Sequence, residues 1–441
     1  MRPVAFRLAD FGGLLRPRRP KTETTAAAND EREARRLAYA ITPGVLLAGV
    51  AGGIAFPVLP LVGLRAGLPL WFIGTILAAN RAGRVISAPF VGALTDRLGG
   101  RRMLVAGLAL QVAVMALYLL GVTLNRPGLC FLLARVLHGP ASACVFVAAQ
   151  TLALHAGGRS YGGLAAGTVR AAMSAGMPIG LAVGGLLAAL WGEREMFEAA
   201  MVAVGLGALV AFLTVPDLRA SAPPAGRAAR PWRPWANRRL LAIGALNFAS
   251  FFAAQGIVLT TLALLLNARG LVFARLGDVG TSGLAMAWMV LISSAAMALA
   301  GRLGDQHASH ARIAAAGIAL TIPGLLAVAF AGSFGLLTAG IGLVGLGMGA
   351  LGPSVLALLS AVVEPEDRGR ATGVLQLFAD LGGVGGPILG TTLIAYGQAA
   401  PYLAGALVLV LVLPVAVWIA SLEQRAGKEA SLSAPLHPHL E

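Results

Sequence analysis

Long apolar runs separated by short polar stretches make up most of this chain, and the pattern predicts twelve membrane-spanning helices. A helix needs about 20 apolar residues to cross a hydrocarbon core of about 30 Å. The runs are continuous, without the inside-outside alternation of a membrane barrel. The expected fold is therefore an all-α membrane bundle. The predicted spans are 37–62, 70–94, 103–123, 128–154, 162–191, 197–215, 239–266, 279–301, 312–332, 334–362, 370–396 and 400–421.

The pattern is duplicated, which predicts two six-helix bundles. The segment 92–96 reads GALTD, and 209 residues later the segment 301–305 reads GRLGD; the same offset carries Pro178 onto Pro387. The polar stretches between and around the two halves divide the chain further. We expect an amino-terminal tail at 1–36, bundles at 37–215 and 239–422, a central loop at 216–238 and a carboxyl-terminal tail at 423–441.

Composition places most of the protein surface in lipid. Hydrophobic residues make up 57% of the chain and charged residues 12%, and the mean hydropathy is +0.80. This leaves too little polar surface for a soluble protein. The formal net charge of +15 is spread over the loops between spans, so the expected partners of these charges are anionic lipid headgroups and not nucleic acid.

The distribution of arginines predicts the orientation. Fourteen arginines lie in short loops on the side of the amino terminus, whereas the opposite side has five, which are Arg65, Arg126, Arg194, Arg269 and Arg275. Positively charged loops stay in the cytoplasm. We therefore expect a multi-pass protein of a bacterial inner membrane with both termini in the cytoplasm.

The turn between the second and third spans carries the most specific motif. Gly92 would let a neighbouring helix approach closely, and Gly99 with Gly100 permits a tight reversal. Asp96 can meet the amino terminus of a helix, whose unpaired N–H groups favour a carboxylate. A simple polar turn held outside the membrane by its charge is the alternative. The candidate conformational-switch residues are Gly92, Asp96, Arg97, Gly99, Arg101 and Arg102, with Gly301 and Asp305 in the second half.

This motif resembles that of the major facilitator superfamily, whose loop between spans two and three has a glycine, an aspartate–arginine pair, another glycine and a basic pair. Gly100 stands where the family usually has a basic residue. The resemblance covers residues 37–421 and implies two bundles that alternate access to a solute bound between them. Arg135 and Gly139 resemble the arginine–glycine motif of the family's fourth span, a position associated with proton coupling in many relatives.

Glycine ladders predict close packing of helices. The fifth span resembles the glycine–proline signature of exporters in the superfamily, although Met177 separates Gly176 from Pro178. Small residues let helix backbones approach each other, and we expect the ladders to form seams between the two halves, with the prolines bending their helices. The predicted packing residues are Gly176, Pro178, Gly180, Gly184, Gly382, Gly386, Pro387 and Gly390.

Ionisable groups at membrane depth are few, and each costs at least about 2.5–3.5 kcal/mol at a helix centre unless it is paired or hydrated. Asp380 is the only acid that the sequence places well inside a span. Arg84 lies at a similar depth in the second span, a neighbour of the eleventh in the superfamily, so an ion pair with Asp380 is expected. The candidate proton-coupling and cavity residues are Arg81, Arg84, Arg135, His138, Arg170 and Asp380.

The sequence leaves the roles of these groups open. Asp380 either takes up and releases a proton while an arginine senses its charge, or forms a permanent salt bridge that locks one conformation. Arg135 either meets an anionic substrate group or a proton relay, or is a structural charge satisfied by nearby carbonyls. His138 lies one turn from Arg135 on the same face. The candidate pocket residues are Asn247, Gln255, Trp288 and Gln376.

No sequence motif indicates catalysis. There is no phosphate-binding loop and no cluster of His and Cys with metal-ligand spacing, so we expect no enzyme activity, no cofactor and no metal. We expect a monomeric secondary transporter whose ligands are a small-molecule substrate and protons. The first hypothesis is proton-coupled export of a drug or metabolite, and the second is proton-coupled uptake by symport. The third is a non-transporting membrane sensor or assembly protein on the same fold.

Overall fold

The computed structural model describes residues 21–156, 158–217, 235, 237–307, 309–364 and 367–433. Within these ranges the regular structure is helical, without a strand, and the all-α prediction is confirmed. The helices are α1 Lys21–Arg65, α2 Leu70–Leu98, α3 Gly100–Thr123, α4 Pro127–Ala156, α5 Gly158–Leu190, α6 Glu193–Thr214, α7 Arg238–Arg269, α8 Gly277–His307, α9 His310–Ala329, α10 Phe334–Val362, α11 Arg368–Leu393 and α12 Ala400–Ser433. Short 3₁₀ turns precede α8, at Ala274–Leu276, and follow α11, at Ile394–Tyr396.

Eleven of these described helices contain a stretch that is long and apolar enough to cross a membrane. The exception is α2, which carries Arg81 and Arg84 near its middle and Asp96 and Arg97 at its end. This helix packs against α4 of its own half and α11 of the other half. Since neighbouring helices can supply the partners that lipid cannot, we count α2 as the twelfth span.

Two helices extend more than ten residues beyond their predicted spans. Helix α1 begins at Lys21, inside the predicted amino-terminal tail, and α12 continues to Ser433. The added segment of α1 is rich in Ala, Glu and Arg, which favour helix, and lengthening an existing helix avoids the cost of nucleating a new one. Apolar runs therefore mark the spans and not the helix ends. The remaining tails and most of the predicted central loop lie outside the described residues.

The two ends of the helical bundle are distinguished by the residues at which the chain turns. We call the end with the turn between α2 and α3 the Asp96 face, and the end with the turn between α1 and α2 the Arg65 face. Gly99 makes the turn at the Asp96 face with a φ of 90°, a conformation that favours glycine. Helix α3 begins at the next residue, so the tight reversal predicted here is confirmed.

The glycine ladders pack inside each half, and the prediction that they join the two halves is wrong. A Cβ atom on Gly184 of α5 would lie 2.7 Å from the Cα of Ile54 on α1, and one on Gly382 of α11 would lie 2.5 Å from the carbonyl oxygen of Phe248 on α7. The ladder face of each helix is covered by the first helix of its own half, so a different face meets the other half. The two seams continue at Gly176, Gly180, Gly386 and Gly390, and Pro178 and Pro387 lie inside the same two helices.

Helices α1–α6 pack mainly against one another, as do α7–α12, and the two sets meet where α5 contacts α8 and where α2 contacts α11. A Cβ atom on Gly185 of α5 would lie 2.9 Å from the Cα of Gly283 on α8. One on Gly74 of α2 would lie 3.0 Å from the Cα of Ile388 on α11. These residues lie in the half of each helix nearer the Arg65 face. The bundles are therefore closed against each other at that face.

At the Asp96 face the described glycines make no such contact between the bundles. A Cβ atom on Gly92 of α2 or on Gly373 of α11 would meet no described atom within 4 Å. One on Gly301 would make only an ordinary contact, 3.8 Å from Pro353 of the same bundle. The predicted close approach at Gly92 is therefore absent from this conformation. Because the close backbone contacts between the bundles at described glycines lie toward the Arg65 face, we interpret the structure as open toward the Asp96 face.

Candidate functional site

A cluster of charged side chains joins the two bundles between their closed and open ends. Arg81 Nη1 lies 3.3 Å from Asp380 Oδ1, and Arg84 Nη2 donates a hydrogen bond to the same oxygen. The Asp380 side chain is only 5% exposed. The ion pair expected between Arg84 and Asp380 therefore forms, and Arg81 adds a second ion pair that the sequence analysis did not assign. One carboxylate thus links two arginines of α2 to α11.

A π-helical segment of α7, Phe251–Val258, completes the cluster. Gln255 Oε1 accepts a hydrogen bond from Arg81 Nη2, and the ring centroid of Phe251 lies 5.4 Å from the guanidinium carbon of Arg81. Single turns of π-helix often occur at functional sites because they change which residues face inward. No residue pattern in this apolar segment predicts the π-helix. Gln255, a predicted pocket residue, is in fact a partner of Arg81.

Glycines bring the helices close enough for these contacts. A Cβ atom on Gly139 of α4 would lie 2.5 Å from the backbone nitrogen of Arg84, so α2 and α4 are in backbone contact beside the ion pair. On α11, Gly383 leaves the space that the side chain of Arg81 occupies. The glycine of the fourth-span motif therefore packs against α2, and a larger residue there would displace Arg84.

Arg135 of α4 is buried without a hydrogen-bond partner. It is 0% exposed, and its Nε, Nη1 and Nη2 atoms make no hydrogen bond to the described residues. Its guanidinium carbon lies 4.8 Å from the ring centroid of Phe56 on α1. Such a contact contributes about 2 kcal/mol when desolvated, less than the several kcal/mol that desolvating a charge costs. The alternative in which nearby carbonyls satisfy Arg135 is not what this conformation shows.

Other polar side chains near Arg135 share this property. His138 is 2% exposed and its Nδ1 atom has no hydrogen-bond partner among the described residues; neither has the hydroxyl of Tyr118 on α3. Helix α3 packs against α4, and the ring centroid of Tyr118 lies 5.5 Å from that of Phe131, which is one turn before Arg135 on α4. Buried polar groups without partners are rare in folded proteins. This part of the first bundle therefore has unused hydrogen-bonding capacity at membrane depth.

Two further predicted residues line the opening toward the Asp96 face. Gln376 is exposed and lies one turn before Asp380 on the same face of α11. Arg170 is exposed on α5, about three turns nearer the Asp96 face than Leu181, whose carbonyl oxygen contacts Gly283 of α8. Both side chains lie on the side of their helix that faces the other bundle.

Two predicted pocket residues lie outside the cluster. Asn247 donates a hydrogen bond of 2.8 Å to the carbonyl oxygen of Leu375 and so links α7 to α11 inside the second bundle. Trp288 is 46% exposed, on a stripe of α8 with Leu291 and Leu299 whose spacing places them on one helix face. Since Gly283 contacts α5 from a different face of α8, Trp288 points away from the bundle interface.

The turn motif makes contacts different from those predicted. Asp96 is exposed and forms no hydrogen bond or ion pair with a described residue, so its predicted contact with a helix amino terminus is absent here; Arg97 is also exposed. Arg101 donates to the carbonyl oxygen of Phe212, 2.6 Å away, at the end of α6. Near these turns Arg102 forms an ion pair with Asp217 at 3.9 Å, and His310 Nε2 lies 3.2 Å from Asp305 Oδ1.

Sequence comparison identifies the family to which this architecture belongs. The family model of the Major Facilitator Superfamily matches residues 41–277 and 271–438. The chain belongs to this superfamily. It is therefore a multi-pass membrane transporter, and the resemblance inferred from the turn motif is confirmed.

Relatives of this superfamily member include named efflux proteins. A multi-drug resistance efflux pump PmrA homolog of Lactococcus lactis is 27% identical over 372 residues, which are 80% of this chain and 87% of the relative. Multidrug resistance protein MdtG of Dickeya zeae is 28% identical over 406 residues, 90% of this chain and 96% of the relative.

A crystal structure shares the fold. It is that of a bacterial homologue of the human lysosomal transporter Spinster, in an inward-facing and occupied conformation. The TM-score is 0.70 at 16% identity, and the match covers 90% of this chain and 97% of that one. At this identity the match shows the fold alone, which is the two-bundle transporter fold expected from the sequence.

Replacing Gly283 with Val should prevent the conformation described above. A Cβ atom there would lie 2.6 Å from the carbonyl oxygen of Leu181 and 2.8 Å from the Cα of Gly185, so α5 and α8 could not close at the Arg65 face. Ser174 is exposed on α5, one turn after Arg170 on the same helix face. A cysteine placed there should react less with a membrane-impermeant thiol reagent in this variant, because the Asp96 face would be open less often. Gly335→Val is the control, since a Cβ atom at Gly335 would meet no described atom within 4 Å.

The background for this measurement lacks the two native cysteines, Cys130 and Cys144. Unchanged labelling of the cysteine in Gly283→Val would mean that the bundles do not need this contact to open at the Asp96 face.

Proposed function

We propose that this transporter exports a small, drug-like solute from the cytoplasm by alternating access, with the Asp96 face cytoplasmic. The observation that carries the proposal is the Arg81–Asp380–Arg84 cluster, which links the bundles at the inner end of an opening toward that face. The excess of arginines in loops on the same side supports this orientation. Efflux is supported by the Lactococcus relative, which is named as a multi-drug resistance efflux pump homolog, and by the Dickeya relative, which is named as a multidrug resistance protein.

We place the coupling group at Asp380. A proton on this carboxylate would remove the charge that holds Arg81 and Arg84 to α11. The contact between α2 and α11 would then weaken at the depth where the bundles separate, which favours their rearrangement. Coupling of this kind acts by changing the relative free energy of two conformations.

Flux in reconstituted vesicles tests the proposal. Candidate solutes come from comparing the small molecules inside and outside cells with and without the protein. In vesicles with the Asp96 face outward, we expect an acidic lumen to drive accumulation of such a solute, as protons leave in exchange for it. Equal loading of vesicles with and without the protein, for every solute that the cell comparison selects, would refute transport.

Proton-coupled uptake is a second candidate, favoured by one feature of the cluster. Two arginines share one carboxylate, so a proton on Asp380 leaves both cations unpaired unless another anion takes its place. A proton and an anionic solute would then bind together and cross together. In the same vesicles an acidic lumen would empty preloaded solute instead of accumulating it, which separates symport from exchange.

A further inference from the structure

We infer that the transported solute is an organic anion, whose acidic group binds the guanidinium groups of Arg81 and Arg84. The inference rests on the proposed transport function but not on its direction. It follows from the charge balance of the cluster, from the donors left unused on its arginines and from the aromatic ring beside Arg81.

The cluster carries more positive than negative charge. The described residues at this depth include three arginines, Arg81, Arg84 and Arg135, and a single carboxylate, that of Asp380, which contacts the first two. The exposed side chain of Arg170 adds another cation on the path from the Asp96 face. A cleft with low-dielectric walls and charges of one sign raises the local concentration of ions of the opposite sign. The opening therefore attracts anions and repels cations.

The two arginines of α2 have free hydrogen-bonding capacity. Both contact the same oxygen of Asp380, Oδ1, and Arg81 makes one further bond, to Gln255. A guanidinium has five N–H donors in a planar fork that matches a carboxylate or phosphate. The side chain of Arg84 is 33% exposed and that of Arg81 is 16% exposed, so an acidic group can reach the remaining donors from the opening.

Asp380 occupies these arginines when no solute is present. An acidic group of the solute that contacts Arg84 competes with Asp380 for the same cation, because both are oxygen acceptors. The empty transporter therefore keeps its arginines paired, and solute binding exchanges one carboxylate for another. A cationic solute has no equivalent site, since the only carboxylate of the cluster is already shared by two arginines.

An aromatic ring next to Arg81 favours an anion with an apolar body. The ring centroid of Phe251 lies 5.4 Å from the guanidinium carbon of Arg81. Pockets that orient organic ligands combine apolar walls with a few charged groups. The expected class is an aromatic or alicyclic carboxylate or phosphonate, and not an inorganic ion.

Matched probes test the inference in the purified full-length protein. The probes are one-, two- and three-ring aromatic carboxylates, each with its neutral amide and its cationic methylamine analogue. We measure binding as the shift of the melting temperature in detergent at increasing probe concentration. At least one carboxylate should bind about tenfold or more tightly than its amide, since ionised hydrogen bonds to Arg are roughly twice as strong as neutral ones. The methylamine should give no shift. If no carboxylate exceeds its amide, the inference is overturned.

Variants separate this site from general attraction by positive charge. Arg84→Gln should abolish the preference for the carboxylate, and Arg84→Lys should retain part of it. Arg312→Gln removes the same charge from an exposed position at the start of α9 and should leave the preference unchanged. An equal loss of preference in Arg84→Gln and Arg312→Gln would overturn the assignment of the site. If Arg84→Gln does not fold, Arg170→Gln takes its place, with a smaller but measurable loss of affinity expected.

The same probes distinguish failure of this inference from failure of the proposed function. If a carboxylate binds but does not cross vesicle membranes, the anion site is retained and transport of that class is refuted. Transport of the amide or the amine in preference to the carboxylate keeps the proposed function and overturns the anion inference.

Discussion

Asp380→Asn should abolish transport that is driven by a pH gradient. Asparagine cannot take up a proton in the cycle or balance Arg81 and Arg84, which both contact the carboxylate in the wild type. A coupling free energy of about 1–3 kcal/mol corresponds to a roughly 5- to 150-fold effect, so the gradient-driven rate should fall by at least about fivefold. The measurement is initial uptake into vesicles at equal protein content, with and without the gradient.

A second variant separates proton coupling from a permanent salt bridge. Removing one partner of a buried ion pair costs about 3–5 kcal/mol, so Asp380→Asn should also lower the melting temperature. Adding Arg84→Gln restores the charge balance and should recover most of that stability, as a double-mutant cycle would show. If the double variant also recovers gradient-driven transport, Asp380 is a structural partner and not the coupling group.

Arg135→Met should stabilise the protein and impair its transport, because it removes one of the positive charges proposed to attract the anionic solute. The guanidinium of Arg135 is fully buried with no hydrogen-bond partner among the described residues. The charge of Arg135 at a helix centre destabilises the folded protein by about 2.5–3.5 kcal/mol. Its contact with Phe56 stabilises the folded protein by about 2 kcal/mol. The difference predicts a gain of about 1 kcal/mol in the free energy of unfolding. Such gains in stability at the expense of activity are common at functional sites.

Two controls accompany this variant: one keeps the positive charge at position 135, and the other makes the same replacement at a different position. Arg135→Lys retains the positive charge and should retain part of the transport activity without the gain in stability. Arg312→Met makes the same replacement at an exposed position and should change neither property. A clear loss of stability in Arg135→Met would show that Arg135 has structural partners in the native membrane. Its assignment to transport would then be abandoned.

Depth along a helix was the most useful guide to the site. Arg84 and Asp380 could be paired in advance because they lie at similar depths in their apolar runs and because the resemblance to the superfamily implies that spans two and eleven are neighbours. Depth does not specify the direction of a side chain, however. Trp288 lies within its span as expected but points away from the bundle interface, and Asn247 is used inside the second bundle.

Direction depends on which helix covers which face, and this explains the errors on the glycines. The ladders at Gly184 and Gly382 were correctly assigned to close packing, because small residues at four-residue spacing create a groove. Their partners are the first helices of their own bundles. The contact between bundles uses Gly185 and Gly283 instead. Gly185 lies outside the ladder, and nothing in the local sequence indicates that it meets the other bundle.

The amino-acid sequence alone determines that this chain is a duplicated, all-helical membrane protein with few charges at depth. Each of these features depends on local composition and on the length of apolar runs. The thickness of the bilayer fixes how many apolar residues a spanning helix needs, so the runs identify the spans. The tertiary structure alone decides that Asp380 is shared by Arg81 and Arg84, that Arg135 has no hydrogen-bond partner among the described residues, and that the opening is at the Asp96 face. These features depend on contacts between residues up to 299 positions apart, and such contacts exist only once the two bundles are packed together.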